Sequence, residues 1–377
     1  MLIPTSETEI AEMVQQSAGP IRLRGGGTRD YGRPVQGEVL SVAALSGITL
    51  YEPGALTLVA QAGTPLHVVG AALAKANQRL AFEPMDHRAL LGTNGEPTIG
   101  GVVAANVSGP RRVQAGAARD YLLGVRFVDG MGQVVKNGGR VMKNVTGLDL
   151  ARLMAGAHGT LGVLTEVAFK VLPQVEAVAT VVLQGLDDVK AVAALAAGLG
   201  SPFEVTGAAH DPEAGLTRLR IEGFAGSVAY RAGRLVDLLA RFGVAEVVDF
   251  DWAQVRDVQD FAGRAGDVWR LSVKPSDAPG IVARLGMPVR YDWGGGLVWV
   301  LSPEGIDLRA LIGPMSGPMS GPMSGPMSGY ATLIRASIET RAKLRPFPPE
   351  PAANTMLAKG LRARFDPRGI LNTGLMD

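Results

Sequence analysis

The chain has 377 residues, enough for two domains of ordinary size. Hydrophobic residues make up 47% and charged residues 19%, so a large core is available, while a net charge of only +2 excludes the dense positive footprint of a nucleic-acid binder. There is no cysteine, which excludes disulfides, thiolate nucleophiles, thiolate zinc sites and all-cysteine iron–sulfur clusters. The 50 glycines, about 13% of the chain against a usual ~7%, point to tight turns and close backbone approach to something.

In chain order, Ser6-Glu7-Thr8-Glu9 reads as a capping box that opens a helix to about Ser17. A short strand over 21–24 leads into Gly25-Gly26-Gly27. Strand-like runs follow at 39–45, 48–52 and 56–62, and Thr64-Pro65 predicts a helix start running to Lys75. Residues 90–172 are glycine-dense and include a hairpin over 125–135, turned by Asp129-Gly130. Beyond Pro173, strands are expected at 178–183, 217–222, 268–273 and 296–301, with helices over 187–198 and 227–242. That β-α-β-α-β order predicts a compact α+β second domain. A Pro-rich stretch near 346–351, a last helix over 354–364 and a turn-rich tail close the chain. Pro-Met-Ser-Gly repeats four times over 314–329 and forbids a regular helix or central strand. It reads as a surface loop rather than a copper site built from Met315, Met319, Met323 and Met327, since nothing else here suggests copper. The N-terminus has no basic segment before an apolar run and no ~18-residue apolar stretch occurs, so a cytoplasmic location is expected. The sequons at Asn106 and Asn144 then read as chance matches.

Three segments carry chemistry. In the first, a strand delivers Arg24, Gly25, Gly26, Gly27 and Thr28, whose N–H groups can converge on a phosphate as an anion nest, with Arg24 as a countercharge. The second, 97–110, holds Thr98, Ile99, Gly100, Gly101, Asn106, Ser108 and Gly109. Such small and hydroxylated residues can lie along an extended ligand; the alternative is an alanine-glycine helix packed in the core. Arg111, Arg112 and Arg119 follow and suit a diphosphate. The third, 156–166, includes Gly159, Thr160, Gly162 and Val163, where backbone can pass close to a cofactor. A Rossmann G-x-G-x-x-G and a P-loop are both missing, and the four histidines form no close pair, so no metal site is expected.

Taken together, R-G-G-G-T, T-I-G-G with N-x-S-G-P, R-D, K-N-V-T-G-L-D-L and G-T-L-G-V-L-T-E resemble, in that order, the vanillyl-alcohol-oxidase-type (PCMH) FAD-binding family. The likeness spans 1–172 almost without gaps. The tail D-P-R-G-I-L-N, ending at Asn372, matches the family's closing segment, although Thr373 stands where proline is usual. With Trp269-Arg270-Leu271-Ser272-Val273 and Asp292-Trp293-Gly294-Gly295-Gly296, the chain is similar within the family to the FAD-binding E-type subunits of bacterial glycolate oxidase.

This resemblance implies an α+β architecture: a two-part FAD-binding domain over 1–172, a smaller cap domain over 173–344, and a segment over 345–377 returning to the first. It implies that residues 24–28 and 98–101 hold the FAD pyrophosphate, that Asn106 and Ser108 lie near the flavin, and that 159–163 contact the adenosine side. Thr28 stands where many members attach FAD through histidine, so non-covalent FAD is expected. The implied role is one subunit of a complex that oxidises glycolate to glyoxylate, with a paralogous FAD-binding subunit and an iron–sulfur subunit as partners and attachment at the inner membrane only through them. The histidine-rich E-H-G-x-G segment of hydroxy-acid-oxidising relatives is missing. Arg270 and Lys274 are candidates for a substrate carboxylate, each with an edge-strand surface cation as its alternative; His87 is either near the flavin or a solvated loop histidine. A self-sufficient oxidase or dehydrogenase of another small hydroxy acid or alcohol, a non-catalytic flavin scaffold, and an NAD(P)H-dependent reductase remain alternatives.

Overall fold

The computed structural model describes residues 1–139, 147–313 and 329–377. Lys143, the Asn144 sequon and nearly all of the Pro-Met-Ser-Gly repeat lie outside them. The chain divides into two compact units: Met1–Gly109, Gly116–Gln174 and Glu350–Asp377 form the first, Pro110–Ala115 and Val175–Pro349 the second.

In the first unit the opening helix is Glu7–Gln16. Ser6 accepts the Glu9 N–H, and the Glu9 carboxylate accepts the Thr5 N–H, so the exposed donors of the first turn are satisfied from both sides. Ile10 and Val14, one turn apart, turn inward onto Ile21, Leu40, Val128, Val163, Ile370 and Leu371. Strand Ile21–Arg24 pairs in parallel with Glu38–Ser41. A five-stranded antiparallel sheet runs Ile48–Glu52, Thr57–Gln61, Val163–Lys170, Leu122–Val128, Val134–Gly138. The expected hairpin turn forms because Asp129 Oδ1 accepts the N–H groups of Met131 and Gln133. Two boundaries differ from expectation. The strand expected over 39–45 stops at Ser41, where Leu45 N–H turns back to the Val42 carbonyl. Thr64 does not cap the helix Leu66–Lys75; its hydroxyl instead accepts the Gly47 N–H and donates to the Gln61 carbonyl, tying two loops.

The second unit carries an eight-stranded antiparallel sheet in the order Ala245–Val248, Ala177–Gln184, Leu216–Gly223, Val205–Asp211, Val289–Asp292, Leu297–Ser302, Asp267–Val273, Gly329–Arg335. Its chain order is β-α-β-β-α-β twice over, each half the ferredoxin-like arrangement, joined through the pairing of His210 with Tyr291. The β-α-β-α-β expectation is therefore corrected. Of the four strands missed, Val205–Asp211 (V-T-G-A-A-H-D) was illegible because it is buried on both faces, and Val289–Asp292 (V-R-Y-D) because it is too short to show a two-residue period. Each half has its own core: Leu195, Leu219, Ile221 and Leu235 in one, Trp269, Ile281, Val300 and Leu333 in the other.

Candidate functional site

The first glycine cluster begins where strand Ile21–Arg24 ends, with the Arg24 carbonyl accepting the Val42 N–H. The chain then folds back, with Gly27 in the left-handed region at φ +73°. Gly26 lies backbone to backbone on the segment before Thr98: a Cβ at Gly26 would fall 1.5 Å from the Glu96 carbonyl oxygen, and one at Gly95 would fall 1.7 Å from that of Gly26. Gly25 faces Thr98, whose Oγ1 is 2.7 Å from where a Cβ would stand. The two segments singled out by sequence thus meet. Among the described residues, the amides of Gly25, Gly26, Gly27 and Thr28 donate to no protein acceptor. Gly25–Gly27 are half-buried and Thr28 is buried, a setting in which N–H groups without partners are uncommon.

The second cluster is different. Residues Ile99–Ala104 form a helix capped by Thr98, whose Oγ1 accepts the Gly101 N–H at 3.3 Å. The Ile99 N–H donates to the Thr64 carbonyl and the Gly100 N–H to that of Ala62, at 3.0 and 2.8 Å. The amides of Ile99, Gly100 and Gly101 thus already have protein acceptors, unlike those of the first cluster. Gly100 is glycine for close packing, since its Cβ would meet that of Ala62 at 2.6 Å.

The cationic partners also change. Arg111 forms a two-pronged pair with Glu222 at 2.7 and 2.6 Å inside the second unit. There Arg111 and Arg220 hold the Glu222 carboxyl down to about 2 against the opposing effect of burial. Arg112 lies over Trp293 in the same unit, and the exposed Arg119 pairs with its neighbour Asp120 at 3.7 Å. Arg24 is exposed, its guanidinium 2.4 Å from a Cβ built on Gly27. The guanidinium that sequence reasoning missed is Arg29. Its Nε donates to His87 Nδ1 and its Nη2 to the Met85 carbonyl, both at 3.3 Å, and its Nη1 lies 3.4 Å from a Cβ built on Gly101. Burial lowers its pKa, opposed by Tyr31 and Asp86. Asp86 itself pairs with Arg88 at 2.8 Å, and Arg29 has no carboxylate within ion-pair distance among the described residues. The signal for it was present: R-G-G-G-T-R puts a cation directly after the nest.

His87 is buried, so the solvated-loop reading is corrected. Its ring stacks on Tyr31 at 5.9 Å, and Tyr31 meets His158 edge-on at 5.6 Å. Burial pushes the His158 ring down to about 4, so it is neutral at pH 7. The backbone under this cluster is tied together. Asn106, at φ +47°, accepts the Arg119 N–H through Oδ1, and the N–H groups of Gly156 and His158 donate to Val103 and Ala104. Asn372 accepts the Leu23 N–H and donates to the His158 carbonyl, each at 2.8 Å, so its amide clips the strand before the nest to the loop at 156–160. Gly159, at φ +74°, lies where a Cβ would be 2.9 Å from Asn372 Nδ2. Thr160 Oγ1 donates to the Ala157 carbonyl, Gly162 packs on Phe127, and Val163 begins a buried strand. Ser108 is half-buried, and the Gly109 N–H donates to Phe82. In the second unit, Arg270 is half-buried over Trp293 at 5.2 Å, and Lys274 is exposed just past the strand end. Among the described residues no cluster of three His, Asp or Glu side chains is placed to hold a metal.

These features agree with what the chain is similar to. Residues 1–138 match the family described as the FAD binding domain. Glycolate oxidase subunit GlcE of Escherichia coli (strain K12) is 38% identical over 298 residues, covering 78% of this chain and 80% of that one. The chain belongs to the GlcE family of glycolate oxidase subunits. Glycolate oxidase subunit GlcD of Bacillus subtilis (strain 168) is 42% identical over 79 residues, 21% of this chain and 17% of that one. Among solved structures, alkyldihydroxyacetonephosphate synthase superposes with a TM-score of 0.66 over 98% of this chain and 76% of that one, at 16% identity, a likeness of fold alone. As a member of the GlcE family the chain is an FAD-linked oxidoreductase subunit with the α+β, PCMH-type architecture expected from its motifs. No helix among its described residues is long and apolar enough to cross a membrane.

Proposed function

We propose that this chain holds one non-covalent FAD and serves a complex that oxidises glycolate to glyoxylate and passes the electrons to an iron–sulfur partner. The observation that carries the cofactor reading is the pairing of four amides at residues 25–28 with the half-buried guanidinium of Arg29, the amides without protein acceptors and the guanidinium without a carboxylate among the described residues. Amide dipoles and a half-buried cation both call for an anion, and a diphosphate satisfies both. In this reading Gly25, Gly26, Gly27 and Thr28 bind the diphosphate and Arg29 neutralises it. Thr98, Gly100 and Gly101 hold the first loop in place through packing. Asn106, Gly159, Thr160, Gly162, Val163 and Asn372 act by positioning backbone. Tyr31, His87 and His158 line the ring side and exclude water, and His158, held neutral by burial, adds no charge. Bound FAD supplies the two-electron acceptor that oxidation of a hydroxy acid requires. The first unit is then the cofactor half and the second the cap, with Arg270 and Lys274 its candidates for meeting a carboxylate.

The test is direct. The purified chain should show the absorbance bands of oxidised flavin, and acid precipitation should release the flavin into the supernatant. Flavin left on the precipitate would refute non-covalent binding, and a colourless protein that takes up no added FAD would refute the cofactor reading. Glycolate should bleach the flavin once the partner subunits are added.

A further inference from the structure

The helix Ala352–Phe365 has no buried residue along its 14 positions. Its partly covered positions are Thr355, Ala358, Arg362 and Phe365, spaced three, four and three apart, which is one narrow stripe of a 3.6-residue helix. Phe365 anchors that stripe, its ring 5.9 Å from Phe127 and its carbonyl accepting the Gly130 N–H. The opposite pole holds Ala353, Met356, Leu357 and Gly360, spaced three, one and three, with Arg364 closing its C-terminal end. Met356 is 69% and Leu357 64% exposed, and Leu361 beside them is 38% exposed. A surface helix ordinarily turns its apolar side inward. This one turns it outward. Two small residues one heptad apart, with a large one between them, is the pattern that lets a second helix backbone approach closely.

We infer that this outward face docks an α-helix of a different polypeptide, one whose apolar stripe is flanked by acidic side chains. The charge argues for the occupant. The helix carries Lys359, Arg362 and Arg364 and no acidic residue. Arg362 is engaged by Asp377 at 3.6 Å, whereas Lys359 and Arg364 have no carboxylate partner among the described residues. A second copy of this chain would bring cation against cation, so self-pairing through the helix is opposed. An acidic rim complements it and speeds the encounter. The inference rests on the proposal that the chain works within a complex of several subunits, and names the face it uses there.

The test titrates the purified full-length chain with the co-expressed partner subunits of the same complex, following association by sedimentation velocity. Leu357→Asp should weaken binding about thirty-fold, as expected of a central apolar anchor. The pair Lys359→Glu and Arg364→Glu should slow association several-fold and flatten its salt dependence. Leu357→Met should bind as the wild type does. Because all these positions are exposed, melting temperature and flavin content should not move, which separates loss of docking from misfolding. Unchanged binding by Leu357→Asp overturns the inference. So does a wild-type chain that binds no partner subunit, or one whose helix variants instead lose self-association or binding to vesicles of phosphatidylcholine and phosphatidylglycerol. A chain that associates normally but carries no flavin refutes the cofactor reading and leaves this one standing.

Discussion

The two glycine clusters of the first unit have similar composition and opposite roles. Among the described residues, Gly25–Gly27 leave their amides without protein acceptors, while Gly100 and Gly101 give theirs to Ala62 and Thr98. One cluster is glycine where two loops lie backbone to backbone; the other is glycine so that a helix can press against a strand end. Glycine density thus marks close approach, and only the hydrogen-bond partners reveal whether a ligand or the protein itself is being approached.

The largest expected effect breaks this contrast outright. Gly26→Ala puts a methyl 1.5 Å from a backbone oxygen that cannot swing away, so both loops must shift. It should cost more than the ~1–3 kcal/mol typical of overpacking and abolish flavin retention. Gly100→Ala should cost an amount within that range yet bind FAD wherever it folds; equal loss of FAD in the two variants would erase the distinction. Next comes Asn372→Ala, which leaves the Leu23 N–H and His158 carbonyl without their partner. Each orphaned group should cost about 1–3 kcal/mol, read by urea denaturation of the FAD-free chain. If that stability stays at the wild-type level, Asn372 is a ligand group rather than a clip.

Arg29→Met sharpens the comparison from the cation side. FAD affinity should fall about ten- to hundred-fold, the worth of ~1.5–3 kcal/mol for bonds to a charged group. The FAD-free protein should stay within about 1 kcal/mol of the wild type, because the variant removes a half-buried cation that has no carboxylate partner among the described residues. Isothermal titration and thermal melts on the same samples read both quantities. The smallest effect is a pH dependence. The unfolded chain takes a proton on His158 near the ordinary 6.5, whereas the folded chain resists until about 4. The FAD-free chain should therefore lose stability as pH falls from about 6.5 to about 4 and gain no further loss from this group below that. His158→Gln should flatten that interval of the melting profile; an unaltered slope would show that His158 is not held neutral.

Motifs made the first unit legible because its function rests on contiguous backbone. A run such as R-G-G-G-T is visible in one dimension, and so are the capping box at Ser6 and the Asp129 turn. The second unit was read less well. Strand Val205–Asp211 is buried along its whole length and carries no alternation, so its sequence looks like a loop until neighbouring strands claim it. The arginines show the same limit. Arg111 and Arg119 follow a phosphate-like segment in sequence but pair with Glu222 and Asp120, whereas Arg29, not singled out from the sequence, lies beside Gly101.

By itself, the sequence determined the cofactor family, the α+β class and the place of the tight glycine loop after the first strand, because each is signalled by local backbone freedom encoded by glycine. Tertiary structure alone decided which amides lack acceptors among the described residues, which guanidinium lies near them, and that Asn372, far along the chain, holds the loop at 156–160 in place. Those outcomes depend on which distant groups meet, and hydrogen-bond satisfaction and charge pairing are settled only when the chain has folded.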